Sequence, residues 1–160
     1  SHAPSYRAEI ATHTGKSNSG HPIYGHFMLH GPYNKPTDWQ ALFVRLCAAM
    51  GAEYGCLGTH KGANLSALGV MHPVTGMLQG IASIVTLPVA RVLDLHRTQI
   101  LAAGFRMTVQ DAGVVISLVP TLAEARDNVP ALEARYAELA TILNDGTWQP
   151  PKKPSWWDGR

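Results

Sequence analysis

Apolar positions recur along this chain at two periods. Residues 5–13 (SYRAEIATH) alternate weakly and residues 22–30 (PIYGHFMLH) alternate more clearly, which is the pattern of half-buried strands. In the second stretch Ile23, Gly25, Phe27 and Leu29 share one face, and Tyr24, His26, Met28 and His30 share the other. The segment between them, TGKSNSG from Thr14 to Gly20, is rich in turn residues. A β-hairpin is therefore predicted. A loop at 31–36 precedes the clearest helical pattern. Thr37 and Gln40 match the T-x-x-Q capping box. Trp39, Leu42, Phe43, Leu46 and Met50 recur at spacings of three and four. Gly51 stands where a helix ends in a left-handed residue. The pattern predicts a helix over 38–50 with Trp39, Phe43 and Leu46 in the core, followed by a returning strand over 53–59.

Residues 60–79 hold Gly62, Gly69, Pro73 and Gly76 and no sustained period. They read as a long loop, and loops of this length are uncommon unless functional. Ile81 to Leu87 reads as a strand, and Pro88 as the start of a helix reaching about residue 95. A second short helix is expected over 96–103, ending at Gly104. Phe105–Val109 and Val114–Val119 then form a hairpin about Gln110-Asp111-Ala112-Gly113, with Gly113 available for a left-handed turn position. Thr121 and Glu124 make another capping box. Pro130 opens a final helix over 130–144, with Leu132, Tyr136, Leu139 and Leu143 on one stripe and Asn144-Asp145-Gly146 stopping it. The tail 147–160 is rich in proline and tryptophan. Antiparallel strand pairs separated by helices give an α+β class, read as one domain over 1–146 with that tail appended.

Composition narrows the function. The chain has 160 residues, 46% hydrophobic and 15% charged, with a formal net charge of +2. That excludes a disordered polyelectrolyte and gives no basic stripe for nucleic acid. No apolar run approaches the ~20 residues of a membrane span. A cytoplasmic location is expected. Ser1-His2 reads as an expression remnant, so a periplasmic location follows if a leader has been removed. Cys47 and Cys56 are too few for a disulfide framework and match no zinc spacing; they read as small buried apolar residues.

Candidate chemistry is sparse. All eight histidines lie within the first 96 residues. His26 and His30 share a strand face but stand ~13–14 Å apart at ~3.4 Å per residue, too far for one metal ion. His13 and His21 approach them only across the hairpin, and no acid lies between Glu9 and Asp38 to orient a ligand. No metal and no other cofactor is expected. Gly15-Lys16-Ser17 imitates a phosphate loop, but Ile10 stands where the loop needs glycine. Glu133 and Glu138 with Arg135 read as a solvated helix face. No nucleophile elbow and no paired carboxylates stand out, so no catalytic residue is assigned.

Three stretches carry a resemblance. One is Asp38-Trp39-Gln40-Ala41-Leu42-Phe43 through Ala52-Glu53-Tyr54-Gly55-Cys56-Leu57-Gly58. The second is Gly80 to Gly104. The third is VQDAGVVISLVPTLAEARDN, from Val109 to Asn128, leading into the last helix. In this order they resemble the bacterial immunity proteins of the immunity protein 52 type and related type VI secretion immunity proteins. The family's aromatic after Gly80 is replaced by Ile81-Ala82-Ser83, and the Pro/Trp tail is not a family feature. The resemblance implies a non-enzymatic protein that binds a cognate toxin domain. Its contacts are expected from the loops, through Tyr33, Asn34, Lys61, Asn64 and His72, with Trp156 and Trp157 as a second anchor. A small His-dependent metalloenzyme and a generic ligand-binding or adaptor domain are the competing classes.

Overall fold

The computed structural model describes residues 37–53, 55–58 and 83–147 in full, and the backbone of 7–11 and 26–30. The chain divides into two compact units, Ser1–Thr37 and Asp38–Arg160.

In the first unit, β1 (Arg7–Ala11) and β2 (His26–His30) pair antiparallel, as the alternation predicts. The register sets Ile10 opposite Phe27 and Glu9 opposite Met28. Because β2 is a strand, His26 and His30 keep strand spacing rather than the helical i,i+4 spacing that suits zinc.

The second unit carries the rest: α1 (Trp39–Met50), β3 (Gly55–Leu57), β4 (Ile84–Pro88), a 3-10 turn (Val89–Arg91), α2 (Asp94–Ala102), β5 (Arg106–Val109), β6 (Gly113–Ser117), α3 (Leu122–Asp127) and α4 (Val129–Leu143). The four strands form one antiparallel sheet in the order β3-β4-β6-β5. The fold of the described residues is thus α+β. Central strands β4 and β6 are buried on both sides, which is why IVTL, apolar but for the buried Thr86, and VVI lack the polar alternation of a half-exposed strand. Edge strand β5 is largely exposed.

Side-chain alternation sends each central strand into two cores. Val85, Leu87, Val114 and Ile116 meet Ile100 of α2 and Leu132, Leu139 and Leu143 of α4. On the opposite side Ile84 and Val115 meet Cys47, Phe43 and Val44 of α1. The sheet is therefore sandwiched between α1 and the α2–α4 layer.

Most predicted elements form, with four corrections. The cap of α1 is Asp38, whose carboxylate accepts from Ala41 N at 2.9 Å; Thr37 is not the cap, and Gln40 instead donates to Val119 O at 3.0 Å. The core-facing line of α1 runs through buried Cys47 and half-buried Phe43 and Val44, while Trp39 and Leu46, also half-buried, do not pack on that cluster and Met50 is exposed. Gln40 and Arg45 are the only polar residues within Trp39–Met50, so the apolar arc is too broad for periodicity to choose its buried side. Pro88 ends β4 instead of opening a helix, and α2 begins only at Asp94. Gly113 lies inside β6 and has no positive φ. It is glycine for room: a Cβ there would sit 2.6 Å from both Ala52 O and Thr86 Oγ1. The hairpin itself, the Thr121 cap donated to by Glu124 N, and the Leu132–Tyr136–Leu139–Leu143 stripe form as expected.

Candidate functional site

The sequence-predicted contact residues Tyr33, Asn34, Lys61, Asn64, His72, Trp156 and Trp157 lie outside the described residues, as do His13 and His21. Two other places in the second unit bring chemistry together, and neither is legible from local sequence.

The first joins the start of α2 to the end of α4. His96 is fully buried. It occupies the third helical position of α2, and its Nδ1 accepts from Leu93 N at 3.3 Å. This is the returning half of a capping box, made by histidine instead of Glu or Gln. The Nδ1 that accepts is the one without a proton, so Nε2 carries it. Nε2 donates to Thr147 Oγ1 at 2.8 Å and faces Asp145 Oδ1 at 3.3 Å. Asp145 in turn accepts from Thr147 N at 2.9 Å and from Thr147 Oγ1 at 2.6 Å. The two bonds from Thr147, and then His96, hold the Asp145 carboxyl down at about 2. Beside them Arg91, buried to 3% exposure, donates through Nη2 to Leu143 O and to Asn144 Oδ1 at 2.9 Å. Burial lowers its pKa while Asp145 opposes that shift. Arg91 satisfies a carbonyl at the end of α4, and His96 fixes the chain that follows.

These are the residue types of a hydrolytic triad, but they are connected differently. In such a triad the base accepts the nucleophile's proton on one nitrogen and donates to the carboxylate from the other. Here both oxygens approach the same nitrogen, and the other is occupied by backbone. The Thr147 hydroxyl proton goes to Asp145, so His96 has no proton to take from it. The ring is also closed to solvent. The cluster is a clamp.

The thiols are equally inert. Burial pushes Cys47 up to about 11 and raises Cys56. Both are free thiols, and neither is a thiolate at neutral pH. Arg135, expected on a solvated face, instead stacks 3.6 Å from the Phe105 ring centroid and donates to Ala103 O at 3.0 Å, while pairing with Glu138. Among the described residues no group of three or more His, Cys, Asp or Glu is arranged to hold a metal ion, and no helix is long and apolar enough to cross a membrane.

The second place is a cleft of about 250 Å³ between the last turn of α1 and the β5–β6 turn. Cys47, Ala48 and Gly51 form one wall, and Gln110, Asp111 and Ala112 the other. Gly51, at φ 59°, ends the helix by donating its N–H to Ala48 O. Gln110 closes the hairpin turn through its N–H to Gly113 O at 2.8 Å, and its Nε2 donates to Val44 O at 2.9 Å. Its Oε1 is buried and meets no donor among the described residues.

Comparison of the chain with family models, with curated proteins and with solved structures found no match.

Proposed function

We propose that the chain is a non-enzymatic immunity protein that binds a cognate secreted toxin effector and neutralises it. The support from sequence is the order of the three stretches that resemble the immunity protein 52 type. The observation that carries the proposal is the state of His96. Among the described residues it is a histidine with an acid and a hydroxyl at hand, yet its Nδ1 closes the cap of α2 and its Nε2 ties that helix to the chain after α4. The residue types that would favour an enzyme are thus used for rigidity. A scaffold held in this way, carrying the segments whose sequence reads as Gly-containing loops, suits a protein that presents a surface. The contact residues proposed are Tyr33, Asn34, Lys61, Asn64 and His72, with Trp156 and Trp157 as the second anchor. The partner is a toxin domain that is not strongly basic, since inhibitors of basic nucleases are themselves commonly acidic and this chain is +2. The cytoplasm is the proposed compartment, or the periplasm if a leader has been removed.

Growth rescue of cells expressing the toxin encoded beside this gene tests the assignment. Expected is protection by the unmodified protein and micromolar or tighter binding to the toxin. Absence of both sinks it. Retained protection after changing Tyr33, Asn34, Lys61 and Asn64 to Ala places the interface elsewhere. Stoichiometric Zn, Fe or Mn lost from a His26→Gln/His30→Gln variant moves the assignment to the metalloenzyme class.

A further inference from the structure

We infer that the His96 clamp is a proton-operated latch, in which a second proton on the ring frees the start of α2 while the ring stays tied to the chain after α4. The two joints respond to that proton in opposite ways. In the neutral ring Nδ1 accepts from Leu93 N at 3.3 Å. Once protonated it is a donor facing a donor, and the bond that caps the helix is lost. Nε2 donates to Thr147 Oγ1 in either state. A charged ring also gains the Asp145 carboxylate, 3.3 Å away, as an ion pair. The piece that opens is short. Arg97 Nε donates to Val92 O at 3.1 Å, and Val92 is buried, so the freed piece is Leu93–Leu95, three residues that are already exposed.

The groups around the ring set the balance. Asp145 invites the second proton, and it stays a carboxylate in mild acid because Thr147 holds its carboxyl down at about 2. Burial of the ring resists that proton. So does Arg91 on the 3-10 turn, whose guanidinium bonds Leu143 O and Asn144 Oδ1 on the same stretch of chain and interacts with Asp145. On α2 itself Asp94 and Arg97 pair with each other at the surface. From α4 the apolar Leu139 and Leu143 meet Ile100 of α2, and the titratable member of that stripe, Tyr136, is kept protonated by burial. Of all these groups only an imidazole is of a kind that changes charge between about pH 5 and 8. The inference does not depend on the partner being a toxin, and its test needs no toxin.

The full chain, labelled with ¹⁵N, is followed by NMR from about pH 8 to about pH 4. Long-range ¹⁵N correlations count the protons on the His96 ring, and hydrogen exchange gives the protection of each amide. Expected is a ring with one proton, on Nε2, at the start and a proton on each nitrogen at the end. Over the same step the Leu93 N–H should lose protection roughly 2- to 10-fold, the scale of one hydrogen bond, while Val114 and Ile116 keep theirs. His96→Gln places at the third helical position a residue that makes the same cap without titrating, so its Leu93 protection should not change with pH. Asp145→Asn, which keeps His96, should move the change to lower pH. A ring that keeps one proton throughout, a Leu93 loss that persists in His96→Gln, or an Asp145→Asn protein that opens at the same pH as the wild type would overturn the inference.

Discussion

The two faces of the four-stranded sheet are built on different terms. Under α2 and α4 the face is paved with Val85, Leu87, Val114 and Ile116, all buried, and locked at its margin by Arg91, His96 and Arg135. Under α1 the fully buried apolar set shrinks to Cys47, Ile84 and Val115. Gly55 leaves room for the Phe43 ring, which a Cβ there would meet at 3.3 Å, and Gly113 leaves room for Ala52 O just beyond the helix. The α1 side also keeps unpaired acceptors at Thr86 Oγ1 and Gln110 Oε1 among the described residues. One face is therefore where stability is concentrated. The other is thinner and leaves a cleft. The two faces therefore make separate predictions.

The largest contrast lies between the two helices. Leu139→Ala on α4 empties a fully buried site and should cost ~2–5 kcal/mol. Trp39→Ala on α1 removes a larger side chain that is only half-buried and should cost less, ~1–2 kcal/mol by the area lost. Midpoints of guanidinium unfolding at constant slope measure both. A Trp39 cost above that of Leu139 would reverse the ranking of the faces.

The close approach under α1 is the next lever. Gly113→Ala puts a methyl 2.6 Å from Ala52 O, a backbone atom that cannot step aside alone. A loss of ~1–3 kcal/mol is expected, the range of overpacking. A neutral result would mean that the α1 layer floats on the sheet and the cleft beside it is not a fixed shape.

How far these faces were legible in the sequence follows from the range of the interactions. Helix α1 with Gly51, the β5–β6 hairpin, the Thr121 cap and the α4 stripe all rest on signals within a few residues, and each could be read. The buried side of α1 could not, because ten of its twelve residues are apolar and the side chosen is the one that meets Ile84 and Val115, in strands far along the chain. The clamp was missed altogether. His96 meets Asp145 and Thr147 across 49 and 51 residues, and Arg91 meets Leu143 and Asn144 across 52 and 53. One local signal existed: Asp145-Gly146-Thr147 after a helix is the sequence of a turn in which the Asp side chain accepts from the backbone two residues on. It marks an Asp held in place, without naming its partner. The residues proposed for partner contact lie outside the described residues, so for them the sequence reading stands alone.

A smaller effect separates two neighbouring residues on the thin face. Asp38→Ala removes the oxygen that Ala41 N donates to and should cost ~1 kcal/mol, typical of a lost cap. Thr37→Ala should cost under ~0.5 kcal/mol, the scale of a surface change. The same unfolding midpoints decide it, and the reverse order would restore the Thr37 capping box that the sequence pattern favours.

The smallest expected effect is confined to acid and belongs to the clamp on the thick face. Asp145 is held from the ordinary 3.8 down to about 2, chiefly by the Thr147 hydroxyl and N–H. A carboxyl depressed in the folded state binds fewer protons there than in the unfolded chain. Its contribution is therefore complete above the unfolded value of 3.8 and is lost as the pH falls towards about 2. Since the side chain keeps a quarter of its surface in water, the slope it adds is shallow. Unfolding midpoints across that window should fall with decreasing pH in the wild type, and fall less steeply in Asp145→Asn. Thr147→Val, which removes the hydroxyl but keeps the backbone donor, should give an intermediate slope. Identical slopes in all three proteins would mean that the carboxylate is not held by Thr147, and that the end of α4 is secured by Arg91 alone.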